Sequence, residues 1–176
     1  MSGVTVRKLT TMAMFTAVAL IVFIIEAQIP LPIQIPGAKL GLANTVTLFA
    51  LFFDYGKEKD KTNLTTFDAF LILICRIVLG AIFTGRIIAF VYSLTGGLLG
   101  FTAQAVLRRF VTNKQIWVCG AMGAVFHNIG QILAAMFVTG TPSIAAYLPV
   151  LIVAGIITGT ITGYAAQFAH SRLARS

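Results

Sequence analysis

The chain has 176 residues, 58% of them hydrophobic and only 10% charged, with a formal net charge of +8. A water-soluble domain of this size leaves a large share of its chain in solvent and cannot hide so much apolar surface, so composition points to a bilayer. The basic excess does not mark a nucleic-acid surface. It sits at the ends of apolar segments rather than in a stripe interleaved with aromatics, where anionic lipid headgroups are a sufficient partner.

Arg7 and Lys8 precede an apolar stretch and imitate a secretory signal, but the run from Leu9 to about Ala27 is long for a signal core. No small-x-small cleavage site follows it. The reading is a retained first helix over about 9–28, ended by Pro30 and Pro32. Residues 29–37 read as an apolar, ordered loop, and a second helix is predicted over about 38–53. The polar stretch 54–66 must lie outside the bilayer. Thr65 and Asp68 have capping-box spacing and open a third helix over about 66–83. Thr84-Gly85 turns the chain into a fourth helix, about 86–107, stopped by Arg108 and Arg109. A fifth helix spans about 115–138, and a sixth about 145–168. The expected fold class is therefore an all-α membrane protein: one transmembrane domain over 1–176, a compact bundle of six helices.

Six crossings put both termini on one side. With that side cytoplasmic, ten of the thirteen Lys+Arg fall inside, and Lys39, Arg76 and Arg86 are the remainder. The chain is thus expected in the cell membrane with cytoplasmic termini. Gly155, Gly159 and Gly163 recur every fourth residue on the sixth helix, with Gly96, Gly97 and Gly100 on the fourth and Gly120 and Gly123 on the fifth. Such small residues permit close helix approach, within the molecule first and in a homodimer second. Cys75 and Cys119 lie inside apolar runs and read as small hydrophobes rather than a disulfide framework.

Arg76 is the clearest functional candidate, because a charge near the middle of a spanning helix is costly and points into the bundle. It is either held structurally, by helix carbonyls or by Glu26, or it binds an anion. Lys39 and Arg86 fall near the outer ends of their helices, and His127 and Gln131 share a face of the fifth helix at i, i+4, with Asn128 beside them. Three cations against the single acid Glu26 suggest a pocket for a carboxylate or phosphate, which Arg grips in bidentate fashion. His170 is far from His127, so a metal site is not expected. The acids form no paired-aspartate motif and no phosphate-binding loop with lysine is present, so neither an enzyme nor a nucleotide hydrolase is expected, and no cofactor. Ala13 and Ala17 give the first helix a small-residue face, for ordinary packing or for docking another membrane helix.

Four strings carry a resemblance: Pro36-Gly-Ala-Lys-Leu-Gly-Leu-Ala-Asn44-Thr-Val-Thr-Leu48, Tyr92-Ser-Leu-Thr-Gly-Gly-Leu-Leu-Gly100, His127-Asn-Ile-Gly-Gln131 and Tyr147-Leu-Pro-Val-Leu151. Over about 10–168 the chain resembles the Gx transporter family, often labelled heptaprenyl diphosphate synthase component I. That family is similar to the substrate-binding S components of energy-coupling factor (ECF) transporters. The resemblance implies capture of a small vitamin-like or precursor molecule from outside, and docking on a transmembrane T component driven by two cytoplasmic ATPases. Ala13 and Ala17 match the Ala-x-x-x-Ala docking face of S components. Asn44, in the first string, joins the expected substrate-binding set. The alternatives are a non-catalytic membrane subunit associated with prenyl diphosphate synthesis, and a solitary small transporter.

Overall fold

A computed structural model describes residues 5–28, 41–53, 64–85 and 87–173. Six α-helices follow one another, α1 (Val6–Glu26), α2 (Leu42–Leu51), α3 (Thr66–Thr84), α4 (Ile87–Leu107), α5 (Ile116–Thr139) and α6 (Leu148–Leu173), and no strand occurs among the described residues. The chain is an all-helical membrane bundle. Among the described residues, five helical segments are long and apolar enough to cross a bilayer.

The helix ends follow local chemistry. Thr65 Oγ1 accepts from the Asp68 backbone N–H while the Asp68 carboxylate accepts from the Thr65 N–H at 2.6 Å, the reciprocal box expected at the start of α3. Gly85 and Gly140 close α3 and α5 in the left-handed region, at φ 62° and 64°, where a side chain would be strained. The sixth segment starts with a 3-10 turn, Pro142–Tyr147, so its α-helix begins at Leu148 and runs to Leu173, later at both ends than expected.

The second helix corrects the sequence reading. It has 10 residues rather than the sixteen or so anticipated over 38–53. At 1.5 Å per residue it is about 15 Å long, roughly half a hydrocarbon core. Residues 38–40 of the expected helix lie outside the described residues, as do the loop 29–37 and most of the polar stretch 54–66.

α2 fills the half of the bundle that holds the start of α1 and the start of α3. At that end Lys8 pairs with Asp68 at 2.7 Å, Phe52 lies beneath the Arg108 guanidinium at 5.6 Å, and Phe15 meets Phe49 and Phe53 edge-on. Leu48, Leu51, Ile72, Leu73 and Ile116 are fully buried there. Trp117, in the first turn of α5, stacks on Tyr164 near the end of α6. The start of α1 and the end of α6 therefore share one end of the bundle. The described basic residues other than Arg76 (Arg7, Lys8, Arg108, Arg109, Lys114 and Arg172) all belong to segments at this end.

α4, α5 and α6 pack backbone to backbone. A Cβ on Gly159 would sit 2.5 Å from the Gly120 carbonyl oxygen, and one on Gly100 2.7 Å from that of Gly123. The glycine rows of the sequence are thus used inside the molecule, where close approach gains dispersion contact in lipid.

Candidate functional site

The half-length of α2 places its amino end within the bundle rather than at a surface. Gly41, at φ 76°, turns the chain into α2, and Glu26 at the end of α1 meets it there. The Glu26 carboxylate accepts from the Gly41 N–H at 2.5 Å and from the Ala43 N–H at 3.4 Å. A carboxylate at this position satisfies backbone donors left open by the first turn and complements the helix dipole. Glu26 is 6% exposed, so this anchoring accounts for a buried acid without requiring an arginine partner.

Arg76 lies ten residues beyond Thr66, about 15 Å up α3. It is 3% exposed. Its Nη2 donates to Asn44 Oδ1 at 3.1 Å, and its guanidinium carbon stands 5.9 Å from the Phe23 ring centroid. Gly80 admits the Phe23 ring from below: a Cβ there would fall 2.9 Å from it. Gly97 of α4 faces the Nη2 side, where a Cβ would come within 3.9 Å. The Glu26 charge acts on Arg76 electrostatically, yet the two are not in ion-pair contact. Arg76 Nε has no hydrogen-bond partner among the described residues. A guanidinium has five N–H donors, and an open edge in a buried position is costly unless something else completes it.

His127 sits eleven residues into α5, about 16 Å above Ile116, at a comparable height. Its ring lies between Gly41 and Gly96: added Cβ atoms there would meet His127 Cδ2 at 3.6 Å and Nδ1 at 2.8 Å. Gln131 packs on the same Gly96, as the i, i+4 spacing requires. Both are nearly fully buried, at 4% and 1% exposed. The structure thus brings Glu26, Asn44, Arg76, His127 and Gln131 into one contiguous group built from α1 to α5.

Asn128 is not part of it. One residue on from His127 it faces α6, donating from Nδ2 to the Leu151 carbonyl at 2.7 Å, against Gly155. Lys39 and Arg86 lie outside the described residues. The expected balance of three cations against one acid is therefore one of each within the described group, with a neutral-capable imidazole. Ala13 and Ala17 are exposed on α1, opposite its buried Phe15, Ala19 and Phe23. Phe23, Gly41 and Gly96 shape the site but were not singled out for it. The Gly96-Gly97 pair is the available signal, which the sequence reading assigns to close helix approach within the molecule first and in a homodimer second. No group of three or more His, Cys, Asp or Glu suited to a metal occurs among the described residues.

The geometry defines a class: a membrane helical bundle with a buried polar group at the amino end of a half-length helix. The family described as Heptaprenyl diphosphate synthase component I matches residues 15–169, and the chain belongs to that family. That description names one component of a heptaprenyl diphosphate synthase. No curated protein and no solved structure matches the chain.

Proposed function

We propose that this protein is the solute-capture subunit of an ATP-driven importer of the ECF type. It binds a small molecule bearing a carboxylate or phosphate in the half of the bundle remote from its termini. It then docks through Ala13 and Ala17 on a transmembrane T component coupled to two cytoplasmic ATPases. The termini face the cytoplasm of the cell membrane in this reading, which the basic residues at their end support.

The observation that carries the proposal is Arg76. A guanidinium in hydrocarbon costs several kcal/mol. A purely structural arginine would use its full donor set or sit against a carboxylate. Among the described residues the acid bonds to the amino end of α2, the arginine donates to an amide, and Nε has no partner. An anionic group arriving at that edge would complete the donor set, with His127 and Asn44 beside it to select shape.

The family's description favours a second reading, a membrane-embedded component of a prenyl diphosphate synthase, in which Arg76 meets a diphosphate. Affinity purification of the tagged chain from its native host separates the two. A T component and two ATPases should co-isolate. Recovery of a catalytic prenyl synthase subunit in their place would transfer the proposal to the second reading.

A further inference from the structure

Glycine inside a helix weakens it relative to alanine, so each glycine of α4 has its reason in what a methyl group would strike there. At Gly100 the obstacle is backbone, the Gly123 carbonyl oxygen at 2.7 Å. The facing Gly130 of α5 is alike: a Cβ would fall 2.7 Å from the Thr95 carbonyl oxygen and 2.8 Å from the Gly96 Cα. Backbone cannot step aside, so the close approach of α4 and α5 requires glycine at both positions. Gly97 turns to α3, where a Cβ would first meet the methyl ends of Ile77 and Leu73, at 3.0 and 3.3 Å.

Gly96 is different. A Cβ there would lie 2.8 Å from His127 Nδ1, 2.9 Å from His127 Cε1 and 2.9 Å from Gln131 Cγ. All three atoms belong to side chains that turn about their χ angles, and a methyl group at 96 could be housed by swinging them away. The packing of α4 on α5 therefore does not require glycine at 96. The present places of the imidazole and the carboxamide do. Gly100 holds the other end of the same histidine, where an added Cβ would come 3.2 Å from His127 Cβ, so the side chain is seated at its root and at its ring. The ring also borders Gly41, whose N–H donates to the Glu26 carboxylate.

We infer that Gly96 is a positioning residue of the solute site: its missing side chain lets His127 and Gln131, one turn apart on α5, lie flush against α4 in the group that holds Arg76. This role rests on the capture reading, in which Arg76 takes the anionic group and the two α5 side chains contact the rest of the solute. Alanine at 96 would turn both away from that arrangement while leaving the helix contacts in place.

The chain has two histidines, His127 and His170, the latter in the last turn of α6. In the full-length protein with isotope-labelled histidine, two imidazole NMR signals report the site and the end of α6 separately, and His127→Gln assigns the first. Inorganic phosphate and acetate, titrated separately in detergent, are the probes. In the wild type one of them should move the His127 signal and leave that of His170 still. Gly96→Ala should displace the His127 signal before any probe is added, spare that of His170 and melt no lower than the wild type. It should bind the effective probe about ten-fold more weakly, the scale of one hydrogen bond to a charged group. Gly100→Ala, which meets backbone, should melt lower. Wild-type probe affinity in Gly96→Ala would overturn the role, and so would an unmoved His127 signal in that variant. A melting temperature lowered as far as in Gly100→Ala would also overturn it, making Gly96 a packing residue. If neither probe moves the wild-type signal, the capture reading fails and the role with it, a result seen without any variant.

Discussion

Asn128 and Arg76 illustrate two fates of a polar side chain in hydrocarbon. Asn128 finds a backbone carbonyl on α6 and is satisfied by it. Its replacement by Leu should cost about 1–2 kcal/mol, read as a lowered unfolding temperature in detergent, with solute binding unaffected. Arg76 finds one amide among the described residues, and its Nε finds none. Arg76→Lys keeps the charge but loses the fork, so it should retain the fold and bind a carboxylate or phosphate ligand at least ten-fold more weakly in a titration. Unchanged affinity in that variant would return Arg76 to a structural role. The residue pattern revealed part of this: a lone mid-helix arginine and an i, i+4 His-Gln pair are visible in any helical reading. The partners were not. A carbonyl such as that of Leu151 carries no sequence signature, and neighbours such as His127 and Asn128, 100° apart on a helix, were grouped although they face different helices.

At the level of elements, capping chemistry and glycine spacing do most of the specifying. The Thr65–Asp68 box and the glycines after α3 and α5 set boundaries within a residue or two of those anticipated, because those signals act through the backbone itself. Thr65→Ala should lower stability by about 1 kcal/mol in a thermal melt. The expected second helix covers 38–53, whereas α2 begins only after the left-handed Gly41, a boundary that a run of apolar residues does not signal. Its shortness is the feature that brings a helix amino end to the level of Arg76. The α5–α6 contact is the most sequence-legible packing in the molecule. Gly159→Leu would drive a side chain into the Gly120 carbonyl and the Ala124 methyl, and should destabilise the bundle by about 1–3 kcal/mol, measurable by the same melt.

For the whole molecule, the division of labour follows from where charge is placed. The basic end carries the start of α1, the end of α6 and the Lys8–Asp68 pair; the middle carries the buried polar group; α1 presents Ala13 and Ala17 outward. Replacing Ala13 or Ala17 with Trp should abolish co-isolation of a T component while leaving the solute bound, since neither side chain touches the α1 face that Phe23 and Glu26 share with the site. Loss of both together would mean that the α1 face supports the fold instead. All of this depends on a small molecule completing the open edge of Arg76. Native mass spectrometry of the protein purified from its own host, beside Arg76→Lys prepared in parallel, asks that directly. The account predicts a stoichiometric small-molecule adduct on the wild type, ionising as an acid and depleted from the variant. A wild type that flies bare, or an adduct equally abundant on both proteins, would contradict it.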